Sequence, residues 1–332
     1  MPAKTYTWAS PLGELMVAFV AEKRALGYIY VSDELTLNRL DRYLVGQNLR
    51  EPKLEKELLL GFLERNPEEK PSARSRRMTA TNQFSEYLVR NGYEAYVVPR
   101  KMFPVYDGSF KARVLTKDEI SKFLAAADRF PQDDVYPLKH HEISLLFHLL
   151  LNCGLRISDA INLRMRDIDL AGGVLHVIDG KNHVDRLVPM SDFMLLRCRQ
   201  YHEMCRRNTD EYDYFFPGTK RPHMTAGTAY AYFRKVLWMA GISHGGRTQG
   251  GGPRLHDLRH TFAVNCLNGW VSSGVDLSTA LPILAKYMGH VSISGTQKYL
   301  SFTAEMYPET TTRLEEKFGS LIPEAGGADE AY

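Results

Sequence analysis

A mainly α protein with a small β-hairpin, divided into two domains, is what this 332-residue sequence predicts. Three observations carry the prediction. Apolar residues recur near the 3.6-residue period of a half-buried helix through most of the first ninety positions, and again beyond residue 114. Strand-like patterning is confined to "GVLHVID" and "RLVPM", on either side of "GKNHVD". A stretch of prolines, glycines and bases separates the two helical regions.

The elements follow in chain order. The apolar run over 12–30 is broken by Glu14, Glu22, Lys23 and Arg24, so it reads as an amphipathic core helix over roughly 12–26 and not as a bilayer span. Helices are predicted over 33–45, 53–63 and 72–90, with Ser32 or Asp33, Pro71 with Ser72, and Asn91-Gly92 as start and stop signals. Residues 93–113 hold Pro99, Pro104 and Gly108 among Arg100, Lys101, Lys111 and Arg113, the composition of an extended, basic linker. The second domain opens at "LTKDEISKFLAAAD", where Thr116 is a good N-cap and Glu119 stands at the capping-box position. A helix through "EISLLFHLLLNCG" and another starting near Arg156 or Ile157 lead to the hairpin. A long helix from about Asp192, capped by Ser191, and one over 225–240, stopped by Gly241, come next. "SHGGRTQGGGPR", with five glycines in twelve residues, must turn tightly or move. It precedes the helix holding His256. A shorter helix ending at Met288 with Gly289 as its stop, a helix around Tyr299 and a last one over 308–318 complete the chain, which shows no repeats or heptads.

Charge is close to balanced. Through Arg113 there are 18 lysines and arginines against 14 acids, from there to Ser320 24 against 22, and the final twelve residues carry three acids and no base. Local basic surfaces are therefore expected, not a general polycation. Cys153, Cys198, Cys205 and Cys266 lack C-x-x-C spacing and sit in apolar helical stretches, so they read as small core residues in a reducing, cytoplasmic compartment.

The chemistry lies in a few short motifs. "HDLRH", "YMGH" and the tyrosine of "GTQKYLSF" fall within residues 256–302, and "CGLRISDAINL" lies about 100 residues upstream. Among their residues are two arginines, Arg156 and Arg259, with His256, His290 and the phenol of Tyr299. A guanidinium stays charged at any working pH and its planar fork matches two phosphate oxygens, so Arg156 and Arg259 form a candidate clamp for a phosphodiester. A phenol attacks poorly at neutral pH unless cations and donors stabilise its developing charge. Tyr287, Tyr299 and Tyr307 are the phenols in or near these motifs.

With "NCGLRISDAINLRMRDID", "DGKNHVDRLVPM", "LHDLRHTFAVNCL" and "MGHVSISGTQKYL" in this order and spacing, the chain resembles the tyrosine recombinases of the phage integrase family. That resemblance implies a two-domain, C-shaped clamp on duplex DNA: a helical core-binding domain over 1–98, a linker over 99–113, and an integrase-type catalytic domain over 114–321 with a C-terminal docking helix, followed by an acidic tail over 322–332. It implies cleavage and rejoining of DNA through a 3′-phosphotyrosine on Tyr299, whose place nine residues after His290 matches the family's nucleophile segment and sets it above Tyr287 and Tyr307, with strand exchange via a Holliday junction and without cofactor or metal. Lys181, at the hairpin tip, would protonate the leaving 5′-oxygen. His256 is the preferred base, and His290 occupies a position where some relatives have tryptophan. His260 would support the site. Asp159 stands where the family more often has glutamate; it would orient an arginine or histidine, its partner left open. In "KPSARSRRMTA", Lys70, Arg74, Arg76 and Arg77 would face the duplex, joined by Arg100 and Lys101, although a solvated helix face balanced by Glu68 and Glu69 fits the same composition. Implied partners are double-stranded DNA with paired inverted sites and further copies in a tetramer, or a partner recombinase, and implied placement is at the nucleoid.

Three rival readings differ in class. His256 and His260 at i and i+4 imitate a zinc-hydrolase helix, but Asp257 replaces the required glutamate and a third ligand is not evident. A DNA-binding protein that does not cut would need the basic surfaces but no phenol in register with two arginines. A type IB topoisomerase would use the same constellation to nick and close.

Overall fold

The structure, a computed structural model, describes residues 6–67, 69, 71–102, 112–178, 180, 185–245, 252–290, 296, 299, 300 and 303. The chain falls into two compact units divided between residues 109 and 110.

The first unit is four helices: α1 (Gly13–Ala25), α2 (Val31–Gly46), α3 (Lys56–Phe62) and α4 (Pro71–Arg90). Phe19 sits at its centre, with the rings of Tyr87, Phe84 and Tyr30 at centroid distances of 5.1, 5.6 and 5.7 Å. Asp41 fixes the chain entry to α1 by accepting from Ala9 N at 2.9 Å and from Ser10 N and Oγ at 3.0 and 2.5 Å. Residues 93–98, linker-like in composition but expected within the first domain, pack on this unit. Leu54 N donates to Glu94 O and Tyr96 N to Leu54 O, while Val98 N donates to Asn82 Oδ1 at 2.7 Å. A helical turn at Arg100–Met102 follows.

The second unit begins with α5 (Lys117–Asp128) and α6 (Lys139–Asn152). The capping box forms: Glu119 N donates to Thr116 Oγ1 and Thr116 N to Glu119 Oε2. Every residue of α6 from Glu142 to Leu151 is buried, because the run is apolar on all faces and other helices cover it. Beyond α7 (Ile157–Asn162) lies an antiparallel sheet in the order β1 (Ile168–Asp169), β2 (Val174–Val177), β3 (Arg186–Pro189). β1 was not expected from sequence, since two residues carry no readable period. Leu175 opposite Val188 faces the core, while His176 and Leu187 face outward.

Then come α8 (Asp192–Tyr201), capped by Ser191 as expected, α9 (Ala226–Met239), α10 (Asp257–Ser272) and α11 (Leu277–Met288). α10 and α11 share a core with Val114 and the buried Tyr299 and Leu300. Thr296, Tyr299, Leu300 and Thr303 are helical, and Thr303 Oγ1 donates to Tyr299 O at 2.8 Å. The hairpin tip with Lys181, the core of the glycine-rich loop, and the C-terminal segment expected to dock on a neighbour lie outside the described residues. All four cysteines are free thiols. Among the described residues no helix is long and apolar enough to cross a membrane.

Replacing Thr116 with alanine removes one half of the reciprocal cap and should lower the stability of the second unit by about 1 kcal/mol. Denaturant unfolding followed by a probe in that unit measures it.

Candidate active site

Three guanidiniums from distant parts of the sequence meet the C-terminal end of α11. Arg186 Nε donates to Tyr287 O at 3.0 Å, Arg259 Nη2 donates to Met288 O, and Arg156 Nη2 donates to Gly289 O at 2.9 Å. The last carbonyls of a helix lack intrahelical donors and carry the negative end of its dipole, so this end accepts cations readily. Gly289 terminates α11 at φ +65°, and a Cβ there would lie 3.0 Å from Arg186 Cδ. Gly154, at φ +58°, offers its carbonyl to Arg259 Nη1 at 2.6 Å; a Cβ at this position would strike the Phe262 ring. Both glycines are required by conformation and by space.

Asp159 is the acid of the cluster. Its Oδ2 accepts from Arg186 Nη2 at 2.6 Å, with the two side chains only 2% and 4% exposed, and from the Arg156 backbone N at 3.3 Å. Arg156 Nη1 lies 3.9 Å from the same oxygen. The partner left open by the sequence is thus Arg186, which sequence reasoning missed. A signal existed: Arg186 shares the inward face of the "RLVPM" strand with Val188, and a base on an inward face needs a buried acid. Nη1 of Arg156 and of Arg186 are buried and have no hydrogen-bond partner among the described residues.

Tyr299 stands against this cluster, 3% exposed. Its Oη is 3.1 Å from Nδ1 of His260, and its ring stacks with that of His290 at 6.1 Å. Burial raises the phenol pKa, while the charges of Arg259 and Arg156 and a hydrogen bond from Arg259 pull it back down. His256 precedes α10, solvent-exposed, its ring edge-on to His260 at 4.7 Å. The histidine at the phenol oxygen is therefore the one read from sequence as a support, and the preferred base stands behind it.

His290 has a fixed tautomer. Arg259 Nη2 lies 3.3 Å from Nε2 and must donate, so Nε2 is unprotonated; Nδ1, 2.7 Å from Thr296 Oγ1, carries the hydrogen. Burial, then the charges of Arg259 and Arg156, push its pKa down to about 3. The same burial, with Arg156 beside it, takes Arg259 down to about 10. Three guanidiniums against one carboxylate leave the cluster positive and suited to an anion. Beside it runs a groove of about 920 Å³ lined by β2, β3 and α11, with Arg186, Gly289 and His290 on its wall.

The basic residues of the first unit divide. Arg77 is committed to its own fold: it pairs with Glu69, donates to the carbonyls of Phe62 and Glu64, and covers the Phe62 ring. Arg74 is half-buried, whereas Arg76, Arg100 and Lys101 are exposed. Lys70 and Lys181 lie outside the described residues. Among the described residues no cluster of histidine, cysteine or acid side chains could hold a metal ion.

The Phage integrase family model matches residues 113–306. A relative from Sinorhizobium fredii, y4rB, given as an integrase/recombinase, is 28% identical over 304 residues, covering 90% of this chain and 96% of its own. Tyrosine recombinase XerC of Oceanobacillus iheyensis is 28% identical over 265 residues, 76% of this chain and 75% of its own. The solved structure of the XerH site-specific recombinase bound to palindromic difH substrate has the same fold. It covers 86% of this chain and 79% of its own, at a TM-score of 0.63 and 17% identity.

His290 should stay neutral in the free protein throughout the physiological range. With its folded pKa near 3 and an unfolded value of about 6.5, the unfolded chain binds a proton that the fold refuses, so stability falls as pH drops below the unfolded value. Side-chain ¹⁵N titration checks this; an ordinary midpoint for His290 would contradict the arrangement.

Proposed function

The chain belongs to the phage integrase family and is a tyrosine-type site-specific DNA recombinase; from that premise we propose that Tyr299 is the nucleophile that becomes joined to the DNA strand. The observation carrying this assignment is the Tyr299 hydroxyl, 3.1 Å from His260 and electrostatically coupled to Arg259 and Arg156.

In the proposed reaction the Tyr299 oxygen attacks the scissile phosphorus. The P–O5′ bond breaks, a 3′-phosphotyrosine forms, and the freed 5′-oxygen takes a proton from Lys181. Arg156 and Arg259 neutralise the non-bridging oxygens, and His290 holds Arg259 from its neutral side. Phosphoryl transfer needs mostly positioning and charge, which two preset guanidiniums supply. The ester conserves the bond energy, so attack by the 5′-hydroxyl of a second duplex reverses the step without ATP. Two such exchanges pass through a Holliday junction.

The phenolic proton leaves toward the imidazole pair. His256 was the base expected from sequence; the 3.1 Å contact favours His260 as the immediate acceptor, with His256 packed on its ring. Duplex DNA with paired inverted sites is the proposed partner, engaged by further copies of the chain or by a partner recombinase, in the cytoplasm at the nucleoid. Arg74, Arg76, Arg100 and Lys101 remain proposed phosphate contacts of the first unit. Arg77 has the weakest claim, given its internal bonds.

Tyr299→Phe should abolish the SDS-resistant adduct on duplexes taken from the DNA flanking the coding sequence, with binding in gel shift unchanged. An adduct that persists, or maps by peptide sequencing to another residue, rules the nucleophile out. His260→Asn keeps a polar group near the phenol but cannot accept its proton at neutral pH. Adduct formation should slow by about 100-fold and lose its histidine-dependent pH limb. Retention of that limb in His260→Asn, with its loss in His256→Asn, would return the proton to His256.

A further inference from the structure

We propose that Arg186 is a positioning residue for the phosphate clamp, locking Arg156 in register by gripping both groups that Arg156 itself touches. The proposal rests on the reading of Arg156 as a phosphate ligand. Arg156 is fixed at two points: its backbone N donates to Asp159 Oδ2 and its Nη2 to Gly289 O. Arg186 reaches both. Its Nη2 holds that same Oδ2 at 2.6 Å, and its Cδ and Nη1 pack against the face of Gly289 that lacks a side chain, while Nε holds Tyr287 O.

The result is a brace joining the N-terminus of α7 to the C-terminus of α11 through β3. Each end has further bonds, Ser158 Oγ to Asp159 Oδ1 at one and Arg259 Nη2 to Met288 O at the other, but these do not join the two ends. The Asp159 carboxylate has two oxygens and several rotamers, and a helix C-terminus frays. A guanidinium with three of its nitrogens engaged or packed has one orientation, and it imposes that orientation on the acid and on the carbonyl together. Nη1 of Arg156 is buried 3.9 Å from Asp159 Oδ2, with no hydrogen-bond partner among the described residues. Burial makes the brace stiff as well as costly. With both side chains shielded from water, loss of either partner strands the other charge, whereas lysine at 186 keeps the charge and loses the fork.

The test uses the full-length chain with Arg186→Lys, Asp159→Asn and the double variant. Two readouts are taken: adduct formation on the flanking duplex, and binding of inorganic phosphate followed on the side-chain ¹⁵N signals of His290. Arg186→Lys should leave the melting temperature and duplex affinity near those of the parent. It should weaken phosphate binding and slow adduct formation on the order of 100-fold, the cost of a misplacement of about 1 Å. The double variant should be no slower than the worse single one, since both remove one brace. Parental rates in Arg186→Lys, or a loss tracking duplex affinity and melting temperature, would overturn the proposal. An adduct persisting in Tyr299→Phe would instead sink the nucleophile assignment, and the phosphate readout would still decide the role of Arg186.

Discussion

The site depends on the free carbonyls at the C-terminal end of α11. Tyr287, Met288 and Gly289 each receive one guanidinium, from a strand, a helix and a helix-preceding residue that lie far apart in sequence. Like charges held this close repel, so the fold must supply counter-charge from groups that cannot drift away. Backbone carbonyls at a helix end do this without adding a titratable partner. Asp159 supplies a full negative charge, and it sits between the two arginines whose Nη1 atoms have no hydrogen-bond partner among the described residues.

That arrangement orders the rest of the chemistry. Burial, reinforced by the crowded guanidiniums, lowers the proton affinity of the basic groups here, so the pKa values of His290 and Arg259 are both pushed below their ordinary range. The guanidiniums act oppositely on Tyr299, offsetting part of the rise that burial imposes on its hydroxyl. A neutral His290 accepts from Arg259 and hands its remaining N–H to Thr296, so it works as a spacer setting the arginine's angle. His260, half-buried, stands with Nδ1 3.1 Å from the phenol oxygen.

Much of this was legible in the sequence where a local rule decides. Thr116 with Glu119, Ser191 before its helix, and Gly241 and Gly289 after theirs are backbone requirements satisfied within a few residues, and each appears where the spacing puts it. The arginines, the histidines and Tyr299 were legible because their spacing matches a known family. What was not legible is pairing across long separations. Arg186 and Asp159 are 27 residues apart, and only the sheet brings them together. Nor does periodicity distinguish which of two histidines on successive helical turns meets a phenol 39 residues onward. Arg77 shows the reverse failure: a basic run counts charges but cannot say which one its own fold has already used.

α6, buried from Glu142 to Leu151, is followed by Cys153 and then by Gly154, whose carbonyl holds Arg259. The anchor of Arg259 is therefore attached to a segment with little freedom to open locally. Amides near the end of this helix should exchange with solvent only through cooperative unfolding of the whole unit. Fraying elsewhere then leaves the arginine in place.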